Sequence, residues 1–594
     1  MKKFATIAIA AALAATVILS ATACKDKNTG QKTPPSFTYL YNNGSGHQQI
    51  GEYLQGALST VGLTLNLENQ EWNTFLNTRK EGNYTIARNG WLADYSDPIC
   101  FLDMWTTGSG NNDVQFGKGA HKDLKMYSVD LTKYGGSKVE NGTWAETYDV
   151  LIDKINKESD NVKRYEMMHM AEDMLMDTGC IVPLYFYTDI YMLSNKVDGF
   201  YSNPLGYKYF QDTTVDGKDD KIDVCLASEP DSIDPALNSA VDGATMLAHL
   251  FSGLAKWDKN PETGKLEVVA DAAETLSEGV ANADGTTTYT YTLKDNTWSN
   301  GEKVTAADYV YSWKRAASTK LGADYEYMFN PIKGYGEADV DNLAPLAVEA
   351  LDEKTLKVTL ATDVAYWEEL LAFPVYYPVY KDAVANEKWA TEPETYVSNG
   401  AYKLTAWTHK SSITIEKRED YHDAADVKMK KIVFNLSDDD NNMLTNFKNG
   451  AWQLIDSVPN NEISNLKTQY PDQFFVAGQI GTYYVCFNVN ADLLPKTSTL
   501  EGVEKEKAQA EIRKAISLLI DRNYIVEEIG KAGQVPASSF VAMGMTNPDG
   551  TEFYKTAGHN KEYVGYYKVD KESYESNCKE AEEILKKYYD IKIK

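Results

Sequence analysis

An α/β fold with mixed β-sheets is what this sequence predicts, and three observations carry the prediction. Strand-like and helix-like stretches alternate along nearly the whole chain. The 594 residues are 43% hydrophobic and 12% aromatic, enough for two or three domains with sizeable cores. One polar, charged stretch, Gln211 to Asp223 (QDTTVDGKDDKID), interrupts the alternation as the strongest interior boundary.

Taken in order, Phe37 to Tyr41 reads as a short apolar strand, and NNGSG leads into a helix from near His47 toward Leu58. Leu63 to Leu67 alternates as a strand, Glu71 to Thr78 reads as helix, and Tyr84 to Arg88 as extended chain. Asp97-Pro98 is a helix start, with Asp as the cap and Pro at the first helical position. Gly108 to Gly136 is rich in Gly, Asn and Lys and reads as a loop. Trp144 to Asp177 reads as one helix, with Tyr148, Leu151, Ile152 and Ile155 at helical spacing. Ile181 to Tyr187 is a strand of β-branched and aromatic residues. Beyond the linker, Val224 to Ala227 opens a new block, and Asp284-Gly285 turns into a strand, Thr286 to Leu293. Thr305 begins a helix through Trp313, and Leu356 to Leu360 is a strand. Glu511 to Ile529 reads as a helix with Ile512, Ala515, Ile516, Leu519 and Ile520 on one face, and Lys571 to Tyr588 as the last helix. No short tandem repeat occurs.

The first residues read as an export signal. Met1-Lys2-Lys3 is a positive head, Phe4 to Leu19 an apolar run, and Ser20 to Cys24 closes it with small residues before a cysteine. This resembles a lipobox, although Ala21 stands where Leu is usual, and it implies lipidation of Cys24. Lys25 to Pro35 reads as a flexible tether. No later run is long and apolar enough to span a bilayer.

A formal net charge of −27 argues against nucleic acid or anionic lipid as partner, since both need clustered Lys and Arg. The six cysteines form no CxxC pair, so neither a disulfide framework nor a zinc site is expected. The aspartates of the linker lack the spacing and closing Glu of a calcium loop. No cofactor or metal is expected. The 40 tyrosines suit a polar, wet cleft, because each offers an apolar face and a hydroxyl.

The stretch Gln70 to Pro98, QEWNTFLNTRKEGNYTIARNGWLADYSDP, resembles the ligand-gripping segment of the bacterial extracellular solute-binding proteins of family 5, the peptide-binding lipoproteins of ABC importers. LASEPDSIDPALNSAVDG from Leu226, YTYTLKDNTWSNGEKVTAAD at Tyr289 to Asp308, SNGAYKL at Ser398 to Leu404 and RKAISLLIDR at Arg513 to Arg522 resemble further family segments. In the family the Gln70–Pro98 type of segment lies far toward the C-terminus, whereas here it follows the export signal. The resemblance therefore implies a circularly permuted order of a two-lobed, type II periplasmic-binding-protein-like fold with an extra subdomain. It divides the chain into a signal peptide (1–24), a tether (25–36), part of the second lobe (37–188) and a return into the first lobe (189–210). A linker joining the family's old termini follows (211–223), then first lobe (224–251), extra subdomain (252–379), first lobe again (380–486) and the rest of the second lobe (487–594).

What the resemblance implies about the site is residue-specific. Asp94 matches the aspartate that pairs with a peptide's α-ammonium. Gly90-Trp91-Leu92 and Ser239-Ala240-Val241 match strands that flank the peptide backbone from the two lobes. Trp72 and Trp91 would wall side-chain pockets. Arg79, Arg88 and His47 would receive the peptide carboxylate, and Tyr325 and Tyr187 would hydrogen-bond near the ligand ends. One departure stands out: Ile455-Asp456 replaces a Tyr-Asn of some relatives, which implies a pocket of different polarity. The implied function is capture of oligopeptides and delivery to an ABC permease. The implied setting is a monomer held by lipid at the outer face of the cytoplasmic membrane. Family members that bind dipeptides, oligosaccharides, nickel complexes or pheromones are the near alternatives, and a non-transporting receptor or adhesin a further one. No GxSxG, HExxH or P-loop motif supports an enzyme.

Overall fold

A computed structural model describes residues 31–592 apart from 228, 261–262, 338–344 and 561. The export signal, Cys24 and the first half of the tether, 25–30, lie outside the described residues. The chain opens with β1 (Ser36–Asn42), α1 (Ser45–Thr60), β2 (Thr64–Gln70), α2 (Trp72–Lys80) and β3 (Ile86–Leu92). β1 lies between β2 and β3 and runs parallel to both, as βαβ crossovers require.

Two departures from the sequence expectation follow. The stretch read as a loop contains a strand, Tyr127–Asp130, which pairs antiparallel with Lys138–Gly142. Its alternation is only four residues long, with Tyr127 and Val129 buried. The single helix expected over 144–177 is two, α3 (Val150–Asn156) and α4 (Asn161–Asp177), with a π-helical turn before α3. Asp160 causes the break: its carboxylate accepts from the amides of Val162 and Lys163 and starts α4 afresh.

β4 (Ile181–Leu193) is far longer than the expected strand. The linker is not loose. Thr214–Val215 pairs antiparallel with Val197–Asp198, Thr213 is buried, and Lys430 holds Asp219. It delivers the chain into β5 (Ile222–Ala227) and then α5 (Val241–Leu250). Residues 280–360 carry a separate four-stranded antiparallel sheet packed near α6 (Ala306–Ala316), which begins with a capping box of Thr305 and Asp308.

The remaining strands of the main sheet are β6 (Tyr402–Thr408), β7 (Ser412–Lys417), β8 (Lys431–Leu436), β9 (Leu454–Ile455), β10 (Phe474–Phe487) and β11 (Val535–Pro536). Their order is β6–β7–β8–β5–β9–β4–β10–β3–β1–β2, with β11 beside β4. The sheet is mixed: parallel at both flanks of β5 and around β1, antiparallel where β9, β4, β10 and β3 meet. The two long strands carry the sheet from one half of the molecule to the other. One core gathers around Tyr39, Trp105 and Trp144, the other around Phe210, Trp389 and Phe434. Last come α7 (Gly502–Leu518) and α8 (Tyr574–Tyr588). The helix expected over 511–529 starts earlier and stops at α7, because Asp521 accepts from the Asn523 and Tyr524 amides and caps a new short turn.

Candidate ligand-binding site

The halves meet over a cavity of about 510 Å³, and all twelve residues named from the sequence as ligand-binding line it. The cavity sits where the long strands cross. Between Gly478 and Thr482 the β4–β10 register slips, and Ala93 N and Ile480 N bond outside the ladder, to Ile480 O and Pro204 O. Gly481 makes this possible: a Cβ there would stand 2.7 Å from the Trp91 carbonyl oxygen.

β3 places four of the named residues. Side chains alternate along a strand, so Arg88, Gly90 and Leu92 share one face, half-buried, while Asn89 and Trp91 are buried on the other. One edge of β3 pairs with β10 through Leu92. On the other edge, β1 pairs only with Ile86 and Ala87, so among the described residues no strand lies beside Arg88 to Leu92 there. The Gly90 amide is taken by Asn89 Oδ1 at 2.8 Å, so a backbone laid on this edge must displace that side chain or use its neighbours. A Cβ at Gly90 would overlap the Tyr187 hydroxyl, so a larger residue there requires Tyr187 to shift. The Trp91 indole is fixed by its N–H to Cys100 O at 2.8 Å, and its ring lies 6.1 Å from that of Tyr325.

Asp94 follows the end of β3. It is 7% exposed; Tyr325 OH donates to its Oδ1 at 3.1 Å, while its Oδ2 has no partner. Burial pushes its pKa well above the usual carboxylate range and Asp103 adds to this, with the Tyr325 hydrogen bond opposing. The helix-capping duty belongs instead to Asp97, which accepts from Ile99 N and pairs with Arg164 through both oxygens.

The basic residues divide. Arg79 Nε lies 2.7 Å from Asp113 Oδ2 in a largely buried ion pair. Arg88 has no carboxylate within ion-pair distance among the described residues. Its guanidinium lies 5.4 Å from the Tyr483 ring centre and 5.9 Å from that of Trp72. Trp72 itself opens α2, with its indole N–H unpartnered. His47 shares a 3.1 Å hydrogen bond with Tyr483 OH, and burial, then Arg88, holds it neutral.

Ser239-Ala240-Val241 faces the cavity but is not a sheet strand: Ala240 is extended and Val241 begins α5. Ser239 Oγ donates to Asp231 and accepts from Lys80 Nζ, both at 3.0 Å, and Lys80 also pairs with Asp324. Lys80 thus ties α2 to Ser239 on the cavity wall and to Asp324 beside Tyr325. Asn43 and Ser45 do the same toward Asp438 and Asp440.

Several lining residues escaped the sequence reading. Lys208 and Asp189 form a buried pair at 3.1 Å, and Asp242 stands nearby, beside Asp456, which the sequence marks only as a change of polarity. The signal was present as charges set among aromatics, in IVPLYFYTDIYML and LGYKYF. Elsewhere, Ser252 Oγ lies 3.1 Å from His422 Nε2 and His422 Nδ1 3.1 Å from Asp423, a nucleophile-like order. Ser252 is fully buried, bonds to Asp271, and is not part of the cavity wall. Asp271, His422 and Asp423 are also the one group among the described residues close enough to share a metal ion, but Lys294 already sits 2.8 Å from Asp423. Cys100, Cys180, Cys225, Cys486 and Cys578 are free, and all but Cys578 are buried. Among the described residues no helix is long and apolar enough to cross a membrane.

Comparison with known proteins agrees with this architecture. The profile described as bacterial extracellular solute-binding proteins, family 5 Middle, matches residues 11–113 and 267–588. The oligopeptide-binding protein OppA of Bacillus subtilis (strain 168) is 34% identical over 378 residues, 62% of this chain and 61% of that protein. The dipeptide-binding protein DppE of the same organism is 32% identical over 336 residues, 56% of this chain and 57% of that one. The solved structure of the Escherichia coli murein tripeptide binding protein MppA is 25% identical with a TM-score of 0.51, covering 62% of this chain and 66% of its own. The chain spans about six-tenths of the length of the curated relatives it matches. With the two-part profile match, the mixed sheet and the cavity between halves, the chain belongs to the bacterial extracellular solute-binding proteins, family 5.

Proposed function

We propose that this protein binds oligopeptides with a free amino end and passes them, unaltered, to an ABC import permease. A lipid on Cys24 would hold it as a monomer at the outer face of the cytoplasmic membrane. The observation that carries the reading is Asp94: a buried carboxylate with one unpartnered oxygen, at the end of a strand whose cavity-side edge is open. Such a carboxylate is costly in its charged form unless a cation meets it. A peptide ammonium supplies that cation, and the peptide backbone supplies the strand that β3 lacks on that edge. The two tryptophans then bound side-chain space rather than reading side-chain identity. Arg88, which no carboxylate among the described residues neutralises, is the best placed of the basic residues to take the carboxylate end. The printed names of the relatives, oligopeptide-binding and dipeptide-binding, point the same way.

Native mass spectrometry of protein purified without denaturation tests the reading. An ensemble of short peptides carried through purification is expected, intact after prolonged incubation. A protein that carries glycans or a metal complex in their place, or that cleaves added peptides, contradicts it.

A further inference from the structure

Away from Asp94, the cavity wall carries a second group of acids. Asp189 of β4 and Lys208 neutralise each other, with Nζ 3.1 and 3.2 Å from the two carboxylate oxygens. Asp456, just after β9, and Asp242, in the first turn of α5, form no ion pair among the described residues. Asp242 Oδ2 is buried with no hydrogen-bond partner among the described residues. Asp456 accepts no hydrogen bond from another side chain among the described residues. Burial pushes Asp456 up to about 8, with Lys208 opposing and Asp189 and Asp242 reinforcing; burial and Asp231 push Asp242 up to about 7. Two half-buried carboxylates thus share the wall of a cavity made for a guest with one nearby cation among the described residues, Lys208, which Asp189 already neutralises. They do not join a third acid, His or Cys to make an ion-sized cluster.

We infer that Asp456 and Asp242 form a subsite for a cationic peptide side chain, Lys or Arg, separate from the Asp94 end. The inference rests on the peptide-binding reading above. An ammonium or guanidinium entering here would restore charge balance to the two carboxylates and fill the open oxygen of Asp242. An aliphatic side chain of equal length would leave both acids desolvated and without a cation.

The test is isothermal titration of the full protein with free-amino peptides of one length. The series holds all alanine, alanine with one Lys scanned through each position, and the same scan with norleucine and with Glu. At one position Lys should bind at least ten-fold tighter than norleucine, and Glu weaker than either. Asp456→Asn should shrink the Lys-to-norleucine ratio, and Asp242→Asn likewise, with melting curves showing both variants folded. Equal binding of Lys and norleucine at every position by the parent protein overturns the subsite, whatever the variants do. All-alanine peptide binding without any cation preference would sink this inference alone. Failure of every peptide to bind would sink the peptide reading with it.

Discussion

Asp94 is a carboxylate folded into a place that disfavours its charge. Its burial, the neighbouring Asp103 and the single Tyr325 hydrogen bond leave it with a raised pKa. An acid whose pKa rises on folding holds its proton in the native state while the unfolded chain releases it. It therefore costs stability as pH climbs above the unfolded value, near ~4, and costs nothing below that. Ligand-free Asp94→Asn should melt higher than the parent at pH 7, and the difference should vanish near pH 4. A variant that melts at or below the parent at pH 7 contradicts the assignment. The sequence marked Asp94 only through the resemblance of Gln70–Pro98 to a family segment, and the cap duty was visibly met by Asp97. Asp456 was legible only as an oddity and Asp242 not at all, because neither the burial of a carboxylate nor the absence of its counter-charge is written in local sequence. The pairing of Arg79 with Asp113 was hidden for the same reason: the two come together only through the fold.

At the scale of elements, periodicity found β1, α1, β2, α2 and β3 close to their true places, and these position most of the site. It overran where a capping aspartate interrupts an apolar pattern. Asp160 and Asp521 each restart a helix within a run whose spacing stays helical across the break. Periodicity also failed at β10. FFVAGQIGTYYVCF holds two glycines, which argue against a strand interior, yet Gly481 is there so that the Trp91 carbonyl can approach. Lys80 acts across elements, bonding from α2 to Ser239 and Asp324.

For the whole molecule, the order of the blocks is the open matter, and we infer a circular permutation. Three contacts support it. Lys32 N donates to Asp590 Oδ2 at 2.7 Å, Asp590 N donates to Lys32 O at 2.9 Å, and Lys32 Nζ donates to Lys587 O at 3.0 Å, so the strand-leading segment and the end of α8 already adjoin. Within Gln211 to Asp223, Thr214–Val215 pairs with Val197–Asp198, and residues 216–218 are exposed. Fully extended, about a dozen residues reach roughly 40 Å, ample for joining two ends on one lobe. Joining Lys594 to Pro35 and cutting within 211–223 should then preserve melting temperature and peptide affinity, with faster refolding because fewer contacts are distant in sequence. Loss of the fold on re-ordering contradicts the permutation. The two-lobed architecture itself was legible through the family resemblance, while the single sheet shared by both halves was not.

The claim on which everything else depends is that the cavity selects a free peptide amino end through Asp94. Titration of the protein with one oligopeptide in free and N-acetylated forms measures it directly. Breaking a buried ion pair costs roughly 3–5 kcal/mol, so the free form should bind on the order of a hundred-fold tighter or more. Equal affinity for the two forms would contradict the account.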